Sequence, residues 1–143
     1  VTTLLHLGVN DVPYSIGKGK TTGDVAEILE HKYHIMATFA QIYDRQIREA
    51  ATKSIQGAVS TMIIRGVGST KRHPLAGATG EIEHLFKQAL SQRAFDGKIT
   101  GVPTLAALRG VSHRFKRPYA RRPARPSFID TGLYQSSFRA WVD

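Results

Sequence analysis

Cysteine is missing altogether from the 143 residues, which excludes disulfides and thiolate metal sites. Packing, or contact with other chains, has to hold the fold. No stretch approaches the ~18 consecutive apolar residues that a membrane-spanning helix needs, so no membrane partner is expected. Val1 to Asn10 lack a basic lead-in and a small-residue cleavage pattern, so a secretory signal is not expected either. Proline does not occur between Pro13 and Pro74, which leaves a long helical run open there. With 41% hydrophobic residues the chain can build one modest core, and a single domain over 1–143 is the expectation.

Charge is unevenly placed. Residues 1–64 carry six basic and six acidic residues, whereas residues 65–143 carry fourteen basic and five acidic. The whole net charge of +9 therefore belongs to the second part. Arg109, Arg114, Lys116, Arg117, Arg121, Arg122 and Arg125 fall in one stretch without any acid. Such a field raises encounter rates with polyanions and says nothing about fold.

The pattern along the chain predicts a mainly α (α+β) fold, with a long helix, a second helix, short strands at both ends and an irregular basic loop. Thr2 to Val9 reads as a strand or extended arm, and a Gly-rich loop completes residues 1–23. A helical core covers 24–96. Its long helix follows Val25, Ile28, Leu29, Ile35, Met36, Phe39, Ile42, Tyr43, Ile47, Ala51, Ile55, Val59, Met62 and Ile63. Thr22 or Asp24 is expected to cap it, Gly57 to break it, and Gly66 and Gly68 to end it. The second helix is expected over Thr79 to Phe95, capped by Thr79 and closed by Asp96-Gly97. Too little chain remains to cover so long a stripe, which argues for burial against other copies.

Thr104 to Arg109 reads as a short helix after Pro103, stopped by Gly110. Residues 97–127 are expected to be a basic, proline-containing loop, and Pro118, Pro123 and Pro126 make extended backbone the expectation for Val111 to Ser127. Residues 128–143 turn apolar again: Leu133 to Ser137 can form a helical turn and Phe138 to Val142 alternates as a strand. That strand is expected to pair with the amino-terminal strand or with another subunit's sheet edge.

Motifs for chemistry are sparse. Gly17-Lys18-Gly19-Lys20-Thr21-Thr22 precedes a helix, but a phosphate-binding P-loop would need glycine where Tyr14 stands. Glu27, Glu30, His31, His34, Glu81 and His84 include only one Glu-x-x-His pair, Glu81 to His84, and read as a solvated face. No nucleophile context is present. No catalytic residue, metal or cofactor is expected, and an enzyme is not. The basic stretch, interleaved with Phe115 and Tyr119, fits either phosphate pairing and base stacking or an intersubunit loop that meets carboxylates.

The carboxyl-terminal run Arg125-Pro126-Ser127-Phe128-Ile129-Asp130-Thr131-Gly132-Leu133-Tyr134-Gln135-Ser136-Ser137-Phe138-Arg139-Ala140-Trp141-Val142 resembles an element of tailed-bacteriophage neck and tail-completion proteins. In these, an aspartate-threonine-glycine turn and an apolar strand follow a basic, proline-bearing loop. The resemblance implies a virion protein of the head-to-tail junction, assembled in the host cytoplasm as a ring of identical copies. Its neighbours would be portal, neck or tail proteins, with packaged DNA as a non-specific contact of the basic loop. Independently of the family, Asp130 is expected to cap a short helix, and Gly132 to allow a tight approach. Leu133 and Phe138 are expected to dock into the core, with Trp141 on the terminal strand.

Overall fold

An extended segment must find hydrogen-bond partners, and here the two ends of the chain supply each other's. In the computed structural model, which describes residues 3–15, 19–69 and 72–143, β1 (Leu5–Val9) pairs antiparallel with β2 (Phe138–Val142). The register sets Leu7 opposite Ala140 and Gly8 opposite Arg139. Gly8 has no side chain because the indole of Trp141 lies there: a Cβ at Gly8 would come within 2.9 Å of it. The same indole stacks on His6, with ring centroids 5.3 Å apart. His6 also pairs with Asp143 at 3.1 Å, and that hydrogen bond holds the Asp143 carboxyl below its ordinary value. Val1, Thr2, Gly17 and Lys18, where the expected arm begins and part of the glycine-lysine loop falls, lie outside the described residues.

The long apolar stripe folds into three helices. They are α1 (Thr22–Tyr33), α2 (Ile35–Ile42) and α3 (Asp44–Arg65). The cap of α1 is Thr21, not Thr22 or Asp24. Its hydroxyl accepts from the Asp24 amide while the Asp24 carboxylate accepts from the Thr21 amide, a reciprocal capping box. Thr22 is instead buried, and its hydroxyl donates to the Asn10 carbonyl.

The breaks fall at His34 and Tyr43, and Gly57 lies unbroken inside α3. His34 is left-handed (φ 50°), a conformation that costs a non-glycine residue about 1–2 kcal/mol. Glu30 compensates by accepting from the Met36 and Ala37 amides at the start of α2. The bend turns Ile35 and Phe39 fully into the core. Glycine was the obvious candidate for a break by propensity; the actual break is made by a residue whose neighbour can satisfy the freed amides.

The second main helix, α4, runs Ala76–Ser91, starting three residues before Thr79 and ending before Phe95. Thr79 is not its cap; its hydroxyl donates to the Ala76 carbonyl inside the first turn. Phe95 still reaches the core, but from the turn that follows. Ala78, Ile82, Phe86, Ala89 and Leu90 form the buried face of α4, one helical stripe. Phe86 stacks on Phe138 (centroids 3.8 Å apart) and meets Phe39 edge-on at 5.2 Å. The backbone of β2 is also held to α4, since the Ala140 amide donates to the Glu83 carboxylate at 3.1 Å.

After α4 come α5 (Leu105–Arg109) and α6 (Leu133–Ser137). Helix α3, 22 residues long, is about 33 Å at 1.5 Å per residue, and only Ala50 of it is buried. Beyond the part that α4 covers, Ile55 and Val59 are exposed, as are Ile63 (78%), Ile64 (80%) and, just past the helix, Val67 (95%).

Two substitutions read this arrangement in a urea titration. Phe86→Ala empties the centre of the ring cluster and is expected to cost about 3–5 kcal/mol. Gly57→Ala meets open space in a helix interior and is expected to stabilise by about 0.5–1 kcal/mol.

Candidate interaction site on the basic loop

Irregular backbone leaves carbonyls without ladder partners, and three prolines remove amides that could answer them. The guanidinium group, with five donors, can fill that deficit. Arg125 does so: it donates to the carbonyls of Ile129, Ala106 and Val111 at 3.0, 3.1 and 3.0 Å. Its own amide bonds the Ala107 carbonyl, so this one residue ties the returning chain to α5. Arg122 donates to the carbonyls of Arg117 and Pro118 at 2.8 and 3.2 Å. Its guanidinium also lies 4.1 Å from the Phe115 ring centroid, and that of Arg114 lies 4.2 Å from it.

The seven cations therefore divide. Arg114, Arg122 and Arg125 are engaged within the loop. Arg109, Lys116, Arg117 and Arg121 are exposed and have no acidic partner among the described residues. Phe115 belongs to the loop's own packing, whereas Tyr119 is 76% exposed, its ring held edge-on by His113 at 5.6 Å.

Asp130 does not cap α6. Its carboxylate accepts from the Ser112 hydroxyl at 2.6 Å and from Arg114 at 3.2 Å, with Arg125 at 3.7 Å. It is the acid around which the basic loop closes. The cap position of α6 is Gly132, left-handed at φ +81°. Nothing lies within 4 Å of where its Cβ would be, so the backbone angle, not crowding, favours glycine there. Of the expected docking residues, Phe138 is fully buried, Leu133 is only partly so, and Tyr134 takes the core position beside it. Trp141 is half exposed on the sheet.

Two clefts flank the loop. One, of about 490 Å³, is lined by Tyr14, Ser112, Arg114, Arg125, Asp130 and Tyr134 among others. Burial, and then the Glu30 charge, push the Tyr134 phenol well above its ordinary range. The second, of about 310 Å³, is formed by Leu105, Ala106, Arg109, Val111 and Tyr119. Leu105 is 65% exposed. Its place in the site was missed in sequence, where α5 read only as a short helix; its spacing from Leu108 and Arg109 was the available signal.

The loop ahead of α1 is occupied by its own chain. The Gly23 amide donates to the Asp11 carboxylate at 3.0 Å, and hydrogen bonds from Thr21 and then Gly23 hold that carboxyl below its ordinary value. Among the described residues, no group of three or more acidic or histidine side chains is placed to hold a metal ion, and no helix is long and apolar enough to cross a membrane.

No protein-family model, curated protein or solved structure matches the chain.

Replacing an engaged arginine and a free one should give different results in the same unfolding assay. Arg125→Ala strands the carbonyls of Ile129 and Val111 and removes a second donor from that of Ala106, and is expected to cost on the order of 2–3 kcal/mol. Arg121→Ala is expected to stay within about 0.5 kcal/mol. Equal effects would contradict the division.

Proposed function

We propose that this chain is a non-enzymatic structural subunit of a phage virion, one copy in a ring that joins portal and tail at the head-to-tail junction. The observation that carries the reading is the end of α3, where Ile55, Val59, Ile63 and Ile64 are exposed and, among the described residues, no second helix packs over them. Burying such side chains is worth about 1.5–3 kcal/mol each, and neighbouring copies are the simplest cover. Head-to-tail contacts between identical copies close into a ring when the rotation from copy to copy divides a full turn. The carboxyl-terminal resemblance supplies the phage context of this reading, and the packing of residues 133–142 on α4 is compatible with it.

A small nucleic-acid-binding protein using residues 109–125 is the second reading. Four free cations favour it; the commitment of Arg114, Arg122 and Arg125 to the loop's own groups weakens it.

Light scattering coupled to size exclusion tests the subunit reading. The chain is expected to elute as a closed oligomer, and Ile63→Glu with Ile64→Glu to convert it into a folded monomer. A parent chain that is monomeric at all concentrations and absent from particles would contradict the proposal.

A further inference from the structure

The groove between α5 and Tyr119 is built before any partner arrives. Its floor, Ala106 and Val111, is fixed from within by Arg125, which bonds the carbonyls of both residues. Gly110 lets the chain cross close beneath: a Cβ there would sit 2.7 Å from the Arg122 Cβ and 2.9 Å from two backbone oxygens. Its φ of +65° also favours glycine. One wall is the Leu105 side chain and the other the Tyr119 ring, which His113 holds edge-on. Leu105, Leu108 and Arg109, at i, i+3 and i+4, share the outer face of α5, while Ala107 points inward and is buried.

Charge restricts what fits. Arg109 lines the groove, and Lys116, Arg117 and Arg121 stand on the same loop. No acidic residue occurs from 97 to 129. The segment that builds the groove therefore brings apolar side chains and positive charge and no negative charge. A nucleic-acid backbone would answer the cations and leave Leu105 and Leu108 against phosphates. A carboxylate-bearing segment with one apolar side chain answers both.

We propose that this groove docks an acidic segment of a partner protein, with one apolar side chain seated between Leu105 and Tyr119 and carboxylates on Arg109 and the loop cations. The inference rests on the connector reading for the source of the segment, an adjoining protein of the assembly, and specifies the chemistry of that contact.

The test is fluorescence anisotropy on the full chain with three labelled probes. The first is a short peptide of aspartates and glutamates with a single central phenylalanine; the second is the same peptide with serine in its place; the third is a duplex oligonucleotide. The phenylalanine peptide is expected to bind saturably, and Leu105→Ser, Tyr119→Ser and Arg109→Ser each to weaken it about tenfold or more. The serine peptide is expected to be weaker by a similar factor. All three substituted residues are exposed, and unchanged thermal melts confirm that the variants are folded. No saturable binding, equal binding of the two peptides, indifference to Leu105→Ser, or tighter binding of the duplex would each overturn the inference. A chain that forms rings without discriminating the peptides fails this inference alone; a permanent monomer that does discriminate them fails the connector reading alone.

Discussion

The face-to-face contact of Phe86 with Phe138 is the constraint on which the other elements depend. It joins the middle of α4 to the last strand, and Phe39 of α2 meets both rings edge-on. Through Phe138 the contact also positions β1, which has β2 as its ladder partner. Aromatic rings supply large buried area and a preferred geometry, and three of the chain's six phenylalanines meet at this one point. The consequence is a core gathered around α4 and the paired ends. The far half of α3 lies outside it, and its isoleucines stay in solvent.

The basic loop solves a separate problem with arginine. Proline-rich, irregular backbone is short of donors, and the guanidinium groups of Arg122 and Arg125 make up the shortage. Asp130 then balances Arg114 and Arg125 at the loop's centre. Basicity in this region thus has two origins. Some of it is internal scaffolding, and the remainder, Arg109, Lys116, Arg117 and Arg121, faces outward. The scaffolding ties down Ala106 and Val111, the floor of the groove beside Tyr119, and a floor held in this way would lower the ordering cost of the proposed docking.

Much of this was legible in sequence wherever one local rule decided the outcome. The terminal strands, the α5 helix between Thr104 and Gly110, and the stop of α3 at Gly66 follow from pattern and punctuation. Sequence reasoning failed where a distant partner decided. His34 breaks the long helix because Glu30 can receive the next helix's amides, and no propensity scale contains that exchange. Asp130 looks like a cap by position, yet arginines and a serine from a different part of the loop claim it. The division of the cations was equally hidden, since seven residues of one charge look alike until their carbonyl partners are known.

The central claim is that the end of α3 is a contact between copies. A helix end without tertiary cover holds its hydrogen bonds weakly, because short isolated helices are marginal in water. Amide hydrogen exchange over residues 55–65, compared between dilute and concentrated protein, measures that cover directly. Strong slowing confined to this segment at high concentration is what the account predicts; exchange over 55–65 that stays fast and independent of concentration would contradict it.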